Sequence, residues 1–262
     1  MPFHEPNGLR YYSFDIFPKT ITQAVFTRRG GVSPAPWSSL NLGGSVGDNL
    51  VHVVENRTRV FNAMKCHPAS IHDVWLTHGT NIIYADAPRP LTEPAAYADI
   101  IFTDNPEVTL FMRFGDCVPI LFHDPVKNVV GIAHAGWLGT LRGVVESAAA
   151  GMQSHYGCAP KNIIAGIGPS IGADHYEVGA EVVSQFREKY PEDVDQIAQT
   201  KNGSAFLDLW AANALQLKNA GVGQIQVSDI CTACHLDDWF SHRAEKGRTG
   251  RFGALLSLKE PE

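Results

Sequence analysis

The sequence predicts an α+β fold with mixed sheets, on three observations. Strand-like and helix-like stretches alternate along the chain. Their order lacks the strict strand–helix–strand regularity of a doubly wound sheet. The 262 residues, 44% of them hydrophobic, are enough to bury a substantial core. No internal repeat and no long low-complexity linker interrupts the pattern.

The first strand is expected at 21–26, running into the turn Thr27-Arg-Arg-Gly-Gly-Val-Ser33. A helix fits 49–64: Leu50, Val53, Val54, Phe61 and Met64 share a face, and Asp48 can cap it. Residues 74–77 read as a short strand ending at His78-Gly79, and 87–95, rich in proline, as a surface loop. Strands follow at 100–102, 108–111, 118–122 and 129–134. The last breaks at Ala135-Gly136 into a helix starting near Leu138, with Leu141, Val144, Val145, Ala148 and Met152 as its apolar stripe. A strand at 163–167, helices at 179–189 and 206–220, and a strand at 224–227 come next. A short helix near 238–244 and a strand at 253–258 close the order.

Composition excludes several function classes. The net charge is −6 and no Lys/Arg run stands out, so no nucleic-acid partner is expected. The apolar runs are too short to span a bilayer, so no membrane partner is expected. Residues 1–10 carry no basic, then apolar, export pattern, and a cytoplasmic location is expected. Five cysteines in a reducing compartment argue against a disulfide framework. Cys231-Thr-Ala-Cys234-His235 matches the C-x-x-C-H spacing of covalent haem attachment. Without an export pattern no covalent haem is expected. A zinc knuckle on Cys231, Cys234 and His235 lacks an obvious fourth ligand nearby except His242.

The chemistry concentrates elsewhere. His78, Cys117 and His134 each sit at a strand-to-turn junction, where enzymes commonly place reactive groups. Their wide spacing is unlike a structural zinc site. It suits a catalytic ion held by three ligands from separate elements, with a fourth position for water. One thiolate and two imidazoles match Zn²⁺ in softness, and Cu²⁺ competes for such ligands. The same residues admit a metal-free reading, with Cys117 as nucleophile and His134 as base. A buried cysteine used only as core filler is the plain alternative.

The segments TRRGGVS, SLNLG, GDN, VENR, ADIIFT, GDCVPILF, AHAGW, GIGPSIG, YEVG, DICT and WFSHR run in order from about residue 21 to 258. In these the chain resembles the YfiH family, also called the laccase-domain or multi-copper polyphenol oxidoreductase family. The resemblance implies one catalytic domain over 1–262 and a four-layer α/β/β/α arrangement similar to the catalytic domain of cytotoxic necrotizing factor. It implies His78, Cys117 and His134 as metal ligands and catalytic residues.

It also implies purine nucleoside phosphorylase activity on adenosine, inosine or methylthioadenosine, with adenosine deamination, or alternatively a copper-dependent polyphenol oxidase acting on small phenols. A trinuclear copper centre would want about ten histidines, usually in His-x-His pairs, and the chain has no such pair. The zinc-deaminase pattern of H-x-E with P-C-x-x-C is absent too. A metal-free cysteine hydrolase is the remaining alternative.

For phosphorolysis a purine nucleoside and phosphate are the expected partners. Arg28, with Arg29 beside it before Gly30-Gly31, fits an anion-binding turn. Arg243 is a second candidate cation, Asn41 a hydrogen-bonding group for ribose or base, and Asp116 a group that could orient a ligand histidine. The chain departs from the family pattern at Leu76-Thr77, where Gln-Val is usual, at Phe114-Gly115, where Thr-x is usual, and at Leu138, where Arg is usual.

Overall fold

The computed structural model describes residues 2–90 and 92–259. Leu91 of the proline-rich loop, Met1 and residues 260–262 of the expected single domain lie outside the described residues. Two six-stranded mixed sheets form the centre. The first has the order Phe3–His4, Tyr11–Tyr12, Ile21–Phe26, Phe252–Leu258, Thr109–Phe114, Ile71–Asp73. The second has the order Gln224–Val227, Ile164–Ile167, Val118–Asp124, Val129–Ala135, Ile100–Thr103, Ile82–Tyr84.

The strand sequences explain the layering. In Phe252–Leu258 the alternate residues Phe252, Ala254, Leu256 and Leu258 meet Ile101, Leu121, Val130 and Ile132 of the other sheet. Leu255 points the opposite way, to Phe61 and Val60 of the helix Leu50–Ala63. In the second sheet Ile100, Phe102, Val118, Ile120 and Phe122 face Val145, Ala148 and Met152 of the helix Val144–Tyr156 and Leu217 of Leu209–Asn219. Both faces of these strands are buried, so they read as continuous apolar runs rather than alternating ones. The result is helix, sheet, sheet, helices: the four-layer α/β/β/α arrangement.

Several local expectations are corrected. Asn49, not Asp48, caps the first long helix, its side chain accepting from Val51 N–H. Asp48 is occupied by Ser33 and Asn41 instead. That helix buries Val53, Asn56, Val60 and Phe61, and leaves Leu50 and Val54 exposed. Its polar Asn56 holds the turn 27–41 through Val32 N–H, Ser39 and Asn41, a task hydrophobic periodicity does not reveal.

Residues 74–77 are not a regular strand: Ile71–Asp73 is, and Trp75 makes only an isolated bridge to Tyr97. The helix expected near Leu138 is two helices, Trp137–Arg142 and Val144–Tyr156, parted at Gly143 in the left-handed region (φ 86°). Residues 206–207, the start of the expected helix 206–220, instead end the strand Ser204–Leu207 of a third, three-stranded sheet with Glu177–Val178 and Ala198–Lys201; the helix is Leu209–Asn219. Residues 238–244 form turns rather than a helix. Among the described residues no helix is long and apolar enough to cross a membrane.

Candidate metal centre and substrate cavity

Strand register brings the three ligand candidates together. Val118 pairs with Ala135 across the hairpin, so Cys117, one residue earlier, lies beside the end of the His134 strand. Ile100 pairs with Ala133 on the other side, which sets Asp99 against His134. His78 arrives from a turn whose backbone it bends into the left-handed region at φ 59°. One ligand atom from each of His78, Cys117 and His134 lies within 4.8 Å of the others. The two imidazole rings stand edge to face, with centroids 4.9 Å apart.

Asp99 holds this geometry and was not singled out from the sequence. It is fully buried. Its carboxylate accepts from the backbone N–H groups of His78 (2.9 Å) and Gly79 (2.7 Å) and from the Thr77 hydroxyl (2.6 Å). His134 Nδ1 donates to it at 2.9 Å, which aims Nε2 at Cys117 and His78 and, in the neutral ring, leaves Nε2 bare as a ligand or base. Burial opposes the charge on Asp99, but the His134 and Thr77 hydrogen bonds outweigh it and hold the carboxyl well below the usual range. An Asp directly before the apolar strand Ile100–Thr103 is the signal that could have found it, since burying a carboxylate is costly unless it is paired.

The same groups tune the thiol. Burial alone would push Cys117 up; the His134 imidazolium and His78 outweigh it and pull it down to about 6. Burial would likewise lower His134, but the Cys117 thiolate and Asp99 raise it to about 9. Without an ion the pair is therefore thiolate and imidazolium near neutral pH. With an ion the three donors fit a soft divalent cation, zinc or copper. Gly136 is required here for space: a Cβ would stand 3.0 Å from both Cys117 Sγ and His78 Cδ2.

These three side chains open into a cavity of about 400 Å³, also lined by Trp75, Leu76, Phe114, Arg113, His242 and Arg251. Arg251 threads past Gly43 and Gly115, where added Cβ atoms would meet its side chain at 2.8 and 2.9 Å. This gives a physical reason for glycine at 115. Arg251 donates to the Gly250 carbonyl and, among the described residues, has no carboxylate in salt-bridge range. Burial lowers its pKa, while Cys117 and Asp116 favour its charge. Arg113, by contrast, is matched by Asp73, which Arg89 also binds at 2.6 Å. Arg113 interrupts the apolar run Thr109–Phe114, a visible signal; Arg251 sits in a Gly/Arg-rich stretch with none.

The expected substrate residues are distributed otherwise. Arg28 does not line the cavity: its guanidinium donates to the carbonyls of Ser38 and Leu236, pairs with Glu245 at 3.1 Å and covers the Phe240 ring. Arg29 is paired with Asp238. Asn41 is fully buried behind the wall, where its Oδ1 accepts from the N–H groups of Gly43 and Arg251. Arg243 lies over Tyr176 and donates to the Glu177 carbonyl; its neighbour His242 is the one that faces the cavity. Asp116 orients no histidine. It accepts from the Thr232 hydroxyl at 2.6 Å and the Arg243 N–H at 2.6 Å.

The family described as multi-copper polyphenol oxidoreductase laccase matches residues 22–259. A protein of Geobacillus stearothermophilus named purine nucleoside phosphorylase YlmD is 36% identical over 248 residues, covering 89% of each chain. Purine nucleoside phosphorylase YfiH of Escherichia coli is 36% identical over 249 residues, 92% of this chain and 95% of its own. The crystal structure of YlmD from Geobacillus stearothermophilus superposes with a TM-score of 0.92 at 34% identity, covering 99% of each chain. That of a Bacillus licheniformis hypothetical protein YfiH gives 0.91 at 34% identity, covering 98% of this chain and 99% of the other.

Proposed function

The chain belongs to the multi-copper polyphenol oxidoreductase laccase family, and from that membership we propose that it is a purine nucleoside phosphorylase working at the His78, Cys117 and His134 centre. The observation that carries the proposal is one cavity in which that centre and the partly buried cation Arg251 both face the same space. Relatives that match nearly end to end are named for this activity.

In the proposed reaction Arg251, with Arg113 behind it, binds inorganic phosphate by charge-assisted hydrogen bonds. Trp75, half exposed, and Phe114 flank the purine with apolar surface. A phosphate oxygen forms the new bond to ribose C1′ while the C1′–N9 bond breaks. Its electron pair leaves with the purine, which takes up a proton. His242, the remaining imidazole of the lining, is placed to hold that proton. His78, Cys117 and His134 would hold a divalent ion, which when bound would supply positive charge for electrostatic stabilisation. Asp99 keeps His134 in the one tautomer that serves this centre. Deamination of adenosine belongs to the same reading as a secondary reaction of the same cavity.

The test is product analysis with inosine, with and without inorganic phosphate. Phosphorolysis requires hypoxanthine and ribose-1-phosphate in equal amounts, only with phosphate present, and neither from Cys117→Ala. Hypoxanthine formed equally well without phosphate makes the enzyme a hydrolase and overturns the proposal. Oxygen uptake with phenols and no nucleoside turnover favours the oxidase instead.

A further inference from the structure

A second set of donors lies outside the cavity, where the loop after Ile164–Ile167 meets the segment leading from Gln224–Val227. One ligand atom each from Asp174, His175, Cys231 and Cys234 lies within 4.8 Å of the others. We propose that these four side chains form a second metal site, a closed structural one that takes a zinc ion.

The distances support a single centre. Cys231 Sγ is 3.7 Å from His175 Nδ1, and Cys234 Sγ is 3.5 Å from the same atom. Cys234 Sγ is 3.3 Å from Asp174 Oδ2, which is 3.1 Å from His175 Nδ1. A tetrahedral zinc with bonds of about 2.0–2.3 Å sets its donors roughly 3.3–3.8 Å apart. The measured separations lie close to that range. Pairwise hydrogen bonds explain any one of these contacts, but not two thiols, a carboxylate and an imidazole turned toward one point.

The backbone is arranged for the same purpose. The Gly172 N–H donates to Cys231 Sγ at 3.2 Å, the kind of outer contact that orients and stabilises a ligating thiolate. A Cβ at Gly172 would crowd this approach, standing 2.8 Å from Asp174 Oδ1 and 3.2 Å from Cys231 Cβ. All four positions are filled by protein, the mark of a structural rather than a catalytic zinc. His235, the third ligand expected from the local motif, is not one of the four. The structure substitutes His175 and Asp174, more than fifty residues away in sequence.

An ion here would clamp the two loops that frame the first centre. Ser170 bridges to Cys231, and its carbonyl accepts from Thr232 N–H at 2.9 Å. The Thr232 hydroxyl in turn holds Asp116, the neighbour of Cys117. The site therefore braces the turn that presents the Cys117 thiol.

The test is zinc content per chain by elemental analysis of protein prepared without chelators. Two equivalents are expected in the wild type, one in Cys234→Ser and one in Cys117→Ala. His175→Gln should match Cys234→Ser, which guards against a folding defect in either variant. As a second readout, Cys117→Ala loaded with Co²⁺ should keep a thiolate-to-cobalt charge-transfer band that Cys234→Ser on the same background loses. Equal zinc in wild type and Cys234→Ser overturns the proposal, as does a Cys231–Cys234 disulfide in freshly prepared wild type. Zinc lost in Cys234→Ser but unchanged in Cys117→Ala keeps this site and removes the first, so the two fail separately.

Discussion

Gly136→Ala tests whether the His78, Cys117 and His134 centre depends on the close approach of backbone to ligands. The added Cβ would stand 3.0 Å from Cys117 Sγ and 3.0 Å from His78 Cδ2, where ordinary contact begins at 3.4 Å. Each side chain must retreat by roughly 0.4 Å, about twice the ±0.2 Å within which metal–ligand distances are held. A disturbance of that size in the support of a metal ligand costs about 10–100-fold in affinity, roughly 1.4–2.8 kcal/mol.

The cost to the fold is smaller. Gly136 is the N-cap of Trp137–Arg142 with ordinary φ and no side-chain capping bond, so the change costs about 1 kcal/mol or less and a Tm shift of about 2–4 °C. Gly139→Ala is the control, since its nearest contacts would be at 3.5 Å. Competition titration of zinc against a chromophoric chelator, with thermal melting of the metal-free proteins, separates the two effects. Zinc affinity in folded Gly136→Ala within twofold of wild type would refute the crowding argument.

Asp99→Asn replaces one carboxylate oxygen by a donor facing N–H groups, so the metal-free fold should lose about 2–4 kcal/mol; chemical denaturation measures this, and a loss below about 1 kcal/mol counts against the proposed role. Arg251→Gln should raise KM for phosphate at least tenfold while nucleoside binding, followed by calorimetry, changes little; equal weakening of both ligands would place Arg251 in the wall rather than on phosphate. In metal-stripped protein, iodoacetamide should modify Cys117 with a midpoint at about pH 6, against about 8.5 for a free thiol. The sign follows from the thiolate being the reactive form: reactivity falls as pH drops through about 6, and an ordinary midpoint would show that His134 is not cationic beside it.

The elements most legible in the sequence were those buried on two faces. The runs at 118–122 and 129–133 carry no polar side chain, and become Val118–Asp124 and Val129–Ala135. The small sheet of Glu177–Val178, Ala198–Lys201 and Ser204–Leu207 was not legible, because its strands are short, largely polar and only partly buried. The face of Leu50–Ala63 was misread because Asn56, a polar residue, occupies the buried stripe. Within the candidate site, Cys117 and His134 could be picked out from their strand-end positions, and His78 as the histidine of a His-Gly turn, although the residues before it form no regular strand. Arg251 could not, since it reaches the site through the Asn41 contact across the chain; Asp99 is marked only as an acid directly before an apolar strand, and its partner His134 is set by the Ile100–Ala133 register. The Gly-rich surroundings of Arg28 resemble an anion-binding turn, while Glu245 and three carbonyls consume its donors.

Anomalous diffraction from crystals of the untreated protein, recorded on either side of the zinc edge and of the copper edge, tests the central claim most directly. One strong peak is expected at about 2.0–2.3 Å from an imidazole nitrogen of each of His78 and His134 and from Cys117 Sγ. A cavity without a peak there, in crystals whose His78, Cys117 and His134 side chains are ordered and unmodified, would contradict it.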